Sequence, residues 1–214
     1  MSKELPILFT AAMIKACREG RKTVTRRVIK NMPEKWHRGY TAFEHNPHGD
    51  EEFIIYGDCG TKTMYARYNV GDLLWTKESW GITRLEGIGG TLEYPNILYR
   101  ADSSTRLVLN QPKVWEYCVP KENFKWRSSR FMPKWLARTW LEVVSVRPER
   151  LQDITEEDAI REGFKITGSD GRSHGHQWNE IFRPVWDSIN AKRGYPWVSN
   201  PWVWRIEFKD KDNG

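Results

Sequence analysis

Arg138-Thr139-Trp140-Leu141-Glu142-Val143-Val144-Ser145-Val146-Arg147 (RTWLEVVSVR) is the stretch on which the fold turns. Read with a period of two, Trp140, Glu142, Val144 and Val146 share one face and Leu141, Val143 and Ser145 the other. Both faces are partly apolar, which predicts a strand covered on both sides and central to its sheet. Downstream, Thr155-Glu156-Glu157-Asp158-Ala159-Ile160-Arg161-Glu162-Gly163 carries the ends of a short helix: a threonine N-cap, acids in the first turn and a glycine to stop it. A second helix is predicted over 175–192, with Trp178, Ile181, Phe182, Val185, Trp186 and Ile189 on one face and Pro184 as a candidate kink. Trp202 to Phe208, after Asn200-Pro201, reads as a last strand.

Upstream, Asn69-Val70-Gly71-Asp72 is turn chemistry leading into a strand from Leu73 to Glu78. Residues 8–19 place Leu8, Ala12, Met13, Ala16 and Cys17 on one helical face, with Thr10 as N-cap and Gly20 as the stop. Residues 31–70 are polar and turn-rich, punctuated by Pro33, Pro47, Gly49, Gly57 and Gly60, and are expected to hold one strand, Glu52 to Tyr56. Residues 81–112 read as a hairpin or long loop with a strand near Ile97 to Ala101, and 121–135 as an aromatic-basic loop. Short strands broken by a few helices, without βαβ alternation, predict an α+β fold: a small β-barrel with helices packed at its ends. Its first and last strands are expected to lie close together.

The chain has 214 residues, a net charge of +6 and a pI near 9.2, which favours anionic ligands, nucleotides or nucleic acid. Its aromatic fraction is 13%, dominated by 12 tryptophans available for core packing or stacking. Cys17, Cys59 and Cys118 are far apart and form no CxxC pair, so no disulfide framework or zinc site is indicated. No signal peptide or membrane-spanning run is visible, and a cytoplasmic protein with no membrane partner is expected. Phosphate-loop, dinucleotide and metal motifs are missing from the sequence, which disfavours nucleotide-driven motors and redox enzymes and predicts no cofactor and no metal. His174 and His176, in Ser-His-Gly-His, are too weak a metal signal without a carboxylate at ligand spacing.

The segment that carries chemistry is Gly20-Arg21-Lys22-Thr23-Val24-Thr25-Arg26-Arg27 (GRKTVTRR). It sets one lysine and two hydroxyls amid arginines, and reads either as a phosphate cradle or as a base–nucleophile pair. Arginine hardly loses its proton, whereas a crowded, desolvated lysine can, so the neighbouring cations favour a neutral Lys22 with Thr25 as its hydroxyl partner. In an extended strand positions three apart face opposite sides, so Lys22 and Thr25 converge only if the segment turns, and Thr23 is then a rival. The competing reading is a solvated surface lysine at 22, an ordinary strand threonine at 25 and, at Glu162, a helix-end ion-pair partner. Glu78 and Trp80 form a second group, able to accept from a base amino group and to stack on it, or else an edge-strand ion pair and a core tryptophan. Trp126, Arg127, Arg130, Phe131 and Trp135 interleave cations with aromatics as single-strand-binding surfaces do, or form a loop packed over the barrel mouth.

The GRKT-x-T-R segment after a helix, Gly71-Asp72-Leu73-Leu74, the valine-rich strand, Asp158-Ala159 with Glu162-Gly163, and the closing Trp-Val-Trp-Arg-Ile-Glu-Phe strand together resemble the ASCH domains, relatives of the PUA-like RNA-binding barrels. The longer form, with Leu-Trp-Thr-Lys-Glu-Ser-Trp at 74–80 and Arg-Phe-Met-Pro-Lys-Trp at 130–135, looks like ASCH-related proteins of bacteriophages and prophages, a host-cell cytoplasmic setting. The resemblance implies one ASCH domain over 1–214 with insertions at approximately 31–67 and 81–137. A small bacterial member hydrolyses acetylcytidine, and its catalytic lysine, threonine and glutamate match Lys22, Thr25 and Glu162. Glu78 and Trp80 fall where the family's barrel opens onto its cleft.

Those three side chains suit amide hydrolysis. Lys22 would deprotonate Thr25 or a water, and Glu162, at the negative end of its helix and partly buried, would protonate the leaving amine. Arg21, Thr23 and Arg26 would bind substrate or its oxyanion, and Arg27, Trp126, Arg127 and Arg130 nucleic acid. The expectation is an amidohydrolase acting on the exocyclic amine of a modified cytidine-type nucleoside or base. A non-catalytic barrel binding RNA or a modified base, and a ribonuclease, are the alternatives. The acyl group and oligomeric state stay open.

Overall fold

The computed structural model describes residues 2–30, 32, 42–45, 52–57, 60–86, 93–107, 112–165 and 177–211, a mixed α+β arrangement. In chain order its elements are β1 (Glu4–Leu8), α1 (Ala11–Arg18), β2 (Val24–Val28), β3 (Ala42–His45), β4 (Glu52–Gly57), β5 (Gly60–Tyr65), β6 (Leu73–Lys77), β7 (Trp80–Glu86), β8 (Glu93–Tyr99), β9 (Thr105–Leu107), β10 (Trp140–Arg150), α2 (Glu156–Arg161), α3 (Gln177–Asn190) and β11 (Trp202–Asp210).

The RTWLEVVSVR stretch lies in β10, the middle strand of a five-stranded sheet ordered β1-β6-β10-β11-β2. Its alternation does not run through as predicted: a β-bulge between Val143 and Ser145 shifts the register, so Val146 joins Leu141 and Val143 while Val144 is exposed. Leu141, Val143 and Val146 join β11's Trp202, Trp204, Ile206 and Phe208 in a core that Ile14 and Cys17 of α1 cover. On the other face Val203 packs with Ala159 of α2 and Phe182 and Trp186 of α3. The sheet is not closed on itself: among the described residues no pairing joins its edge strands β1 and β2. The first strand, β1, is not expected from the sequence and runs parallel to β6, apart from β11, whereas β2, which carries Thr25 to Arg27, pairs directly with the last strand β11. The reason is that α1 carries the chain across the sheet, from one edge strand to the other.

Both polar excursions hold more strands than their sequences suggest. Strands β3, β4 and β5 form an antiparallel sheet, in which the Phe53 ring sits 4.9 Å from that of Trp204. Strands β7, β8 and β9 form a second one, packed through Trp80, Ile82, Ile97 and Tyr99 against Val114, Met132 and Leu136. Strands with one wet face need few apolar residues, because partner strands satisfy their backbones. The aromatic-basic stretch covering this sheet is a chain of 3₁₀ turns, Pro112–Tyr117, Lys121–Asn123, Ser129–Phe131 and Lys134–Leu136.

The helix ends follow the sequence. Thr10 caps α1 by accepting from the Met13 amide, and Gly20 turns the chain at φ +71°. Thr155 caps α2 by accepting from the Asp158 amide, and Glu162-Gly163 ends it. Among the described residues no helix is long and apolar enough to cross a membrane.

Candidate functional site

The GRKT segment docks on the end of α2. The last carbonyls of a helix lack intrahelical donors, and here residues 21–23 supply them. The Thr23 amide donates to the Arg161 carbonyl (2.8 Å), Arg21 Nη1 to the Gly163 carbonyl (2.7 Å) and Lys22 Nζ to the Glu162 carbonyl (3.0 Å). Gly163 makes this approach possible. Its φ is +97°, and a Cβ there would stand 2.7 Å from Ala16 Cβ and 3.2 Å from Lys22 Cβ.

The Lys22 side chain is 0% exposed, and its Nζ also donates to Glu162 Oε2 at 2.6 Å and to the Val24 carbonyl at 2.8 Å. Three acceptors match the three donors of an ammonium. The expected crowding of Lys22 by arginines does not occur, because each arginine turns to acceptors of its own. Arg21 takes Glu19 and Gly163, Arg27 takes the Leu8 carbonyl, and Arg26 takes acids. Lys22 and Glu162 are therefore brought together as the resemblance implies, but as a buried ion pair.

A row of three arginines explains why α2 sits where it does. Arg147, Arg205 and Arg26 are cross-strand neighbours on β10, β11 and β2. Like charges placed directly opposite repel, so the row needs carboxylates. Asp158 drops onto it from α2, accepting from Arg205 Nη2 (2.9 Å) and Nε (3.1 Å) and from Arg26 Nη2. Glu149 accepts from Arg26 Nε at 2.7 Å. Burial alone would raise the Asp158 pKa, but the Arg205 hydrogen bonds and the charges of Arg26 and Arg205 outweigh it and hold it at about 2. Glu162 lies four residues beyond Asp158, on the same helical face. Pinning Asp158 thus delivers Glu162 to Lys22, while Arg26 Nη1 reaches Glu162 Oε1 at 3.3 Å.

Glu162, Thr25 and Arg26 line a cavity of about 600 Å³. Thr25 lies opposite Ile206 in the β2–β11 register and is buried. Aromatic side chains, Phe164, Phe182, Trp186, Tyr195 and Trp204 among them, contribute to its lining, and Glu162 is the one carboxylate among the lining residues. Lys22 lies behind that carboxylate and does not line the cavity. Thr23, the rival hydroxyl, accepts from Arg161 Nε at 3.2 Å.

The remaining candidates are spread out. Glu78 is buried in a bidentate pair with Arg138, at 2.7 Å to each oxygen, and Trp80 is fully buried in the second sheet's core; neither lines the cavity. The strand expected to join them breaks after Lys77, where the chain passes from one sheet to the next. The Arg127 guanidinium stacks 5.5 Å from the Trp80 ring and 5.4 Å from that of Tyr117, and Trp126 packs edge-on to Phe124. Arg127 and Trp126 do not line the cavity, whereas Arg27 and Arg130 do. His174, His176 and Cys59 fall outside the described residues. No group of three or more His, Cys, Asp or Glu suited to a metal occurs among the described residues.

Sequence reasoning missed Glu149, Arg205, Arg67 and Arg193. For Arg205 a signal existed: an arginine two residues from Val203 on a strand whose other face is wholly apolar demands a buried acid. Arg67 and Arg193 come to one cavity only through the tertiary fold. Comparison of the chain with protein-family models, with curated proteins and with solved structures finds no match.

Proposed function

We propose that this cavity is the active site of an amidohydrolase that removes an acyl group from the exocyclic amine of a modified cytidine-type nucleoside or base. The observation that carries the reading is the buried Lys22–Glu162 contact of 2.6 Å at a cavity wall that also presents Thr25. In this reading Lys22 serves as the base and Glu162 as the acid, roles supported by their residue types and their direct contact. The Thr25 hydroxyl, or a water beside it, attacks the acyl carbon and gives its proton to the pair. The C–N bond breaks as Glu162 protonates the leaving amine, and water releases any acyl group left on Thr25. In this reading Arg26, held by Glu149 and Asp158 at the cavity, stabilises the oxyanion, and the lining aromatics receive the base.

The resemblance of GRKT-x-T-R to the ASCH acetylcytidine hydrolase supports the same reading, which takes the five-stranded sheet as part of a PUA-like barrel and the cytoplasm as its setting. A second reading, a barrel that binds RNA or a modified base without catalysis, is favoured by the full use of all three Lys22 donors. Incubation with acetylcytidine and a panel of other acylated nucleosides decides between them. Turnover by the wild type that falls by roughly 10²–10⁴-fold in Lys22→Ala and in Thr25→Val, with both variants folded by circular dichroism, is expected. No wild-type turnover across the panel overturns the hydrolase in favour of the binding module.

A further inference from the structure

Among the buried and half-buried cations, Lys22, Arg26, Arg138, Arg161 and Arg205 all meet carboxylates. At the cavity, Arg27, Lys30, Arg67, Lys77, Arg130 and Arg193 line the walls, and among the described residues none of the six forms an ion pair with a carboxylate. Three of these six, Arg27, Arg67 and Arg193, line the same cavity from separate segments of the chain. Arg27, on β2, is partly buried and feels both Arg67 and Arg193 as like charges. Burial pushes the Arg27 guanidinium below its ordinary range; Tyr68 and Glu162 pull it back, and Arg67 and Arg193 push the same way as burial.

Local compensation is partial. Arg27 donates to the Leu8 carbonyl at 2.8 Å and lies 5.5 Å from the Phe9 ring, while Arg67 lies 5.4 Å from the Tyr68 ring. A carbonyl and ring faces use little of a guanidinium's five-donor fork, and they do not cancel repulsion between three cations. Such a cluster is stabilised by an anion that accepts several charge-assisted hydrogen bonds at once, which is what a phosphate does. The same cavity is lined by aromatic rings as well as cations, and an aromatic face can stack on a base.

We propose that the cavity takes its substrate as a nucleoside monophosphate, with the phosphate seated among Arg27, Arg67 and Arg193 and the base directed toward Thr25 and Glu162. The phosphate seat rests on the cation cluster, and only the orientation of the base rests on the amidohydrolase reading.

Calorimetric titration with unacylated ligands tests the seat without requiring turnover. The probes are cytidine, its 5′- and 3′-monophosphates, and a short oligocytidylate. Expected is at least about tenfold tighter binding of one monophosphate than of cytidine. The preference should shrink in 0.5 M salt and in Arg67→Gln and Arg193→Gln, as exposed cations require. Equal binding of cytidine and both monophosphates, or no binding of any probe at millimolar concentration, overturns the proposal. So does an oligonucleotide that binds more tightly than either monophosphate, which would make the rim a strand-binding site. In parallel, kcat/KM is compared for acetylcytidine and its monophosphates. Tight monophosphate binding without hydrolysis of any acylated form removes the amidohydrolase and leaves the seat. Equal hydrolysis with and without phosphate, together with equal binding, removes the seat and leaves the hydrolase.

Discussion

Glu162→Gln removes the charge facing a lysine whose side chain is 0% exposed, leaving Nζ only neutral acceptors, the carbonyls of Val24 and residue 162 and the new amide oxygen. Breaking a buried pair on one side costs about 3–5 kcal/mol, whereas replacing both partners by apolar groups of similar volume is neutral or stabilising by about 1–4 kcal/mol. Arg26 Nη1 loses its charged partner too, but Arg26 keeps Asp158 and Glu149, and these remaining acceptors limit the loss. We expect Glu162→Gln to lose about 3 kcal/mol, the low end of that range, and Lys22→Met/Glu162→Leu to lose less than about 1 kcal/mol. Domains of this kind have about 5–15 kcal/mol in hand, so both variants stay folded. Urea unfolding followed by tryptophan fluorescence measures the differences, with unchanged m-values confirming that the unfolding transition is the same. Both variants should be inactive toward any acylated nucleoside that the wild type hydrolyses. A double variant as unstable as Glu162→Gln, or worse, would refute the reasoning. The pair would then be a clasp that fixes α2 rather than a charged device kept at the expense of stability.

Two further outcomes follow from the same region. Gly163→Ala combines a φ of +97° with a Cβ 2.7 Å from that of Ala16, and should lower the unfolding free energy by about 2–4 kcal/mol by urea titration. Gly20→Ala, at φ +71° with nothing within 4 Å, should lose only about 1 kcal/mol. Asp158 is held at about 2 against an ordinary 3.8, so its contribution to stability is complete above the ordinary value and is lost as pH falls from about 4 toward 2. Asp158→Asn should flatten that part of the stability–pH curve, and an unchanged slope would mean that the Arg26–Arg205 bridge does not hold in solution.

Local signals were legible wherever a few consecutive residues decide the outcome. Thr10, Gly20, Thr155 and Gly163 marked helix ends because capping is a matter of one side chain or one φ angle. Trp140–Arg150 was legible as a central strand because its alternation is apolar on both faces. The partner strands of the two excursions were not legible, since a hairpin with a wet face writes little hydrophobic pattern. Lys22 and Glu162 stood out by residue type, but the ion pair between them did not, nor did the separation of Glu78 and Trp80 from the cavity.

From the chain alone come the elements, their caps, an excess of positive charge and a lysine and glutamate worth watching. Tertiary structure decided which charges meet. The strand register lines up Arg147, Arg205 and Arg26, that row captures Asp158, and one helical turn later Glu162 reaches Lys22. The same packing gathers Arg27, Arg67 and Arg193 around one cavity without a carboxylate partner among the described residues. Electrostatic pairing depends on distance and burial between residues up to 140 positions apart, and neither quantity is written in local sequence.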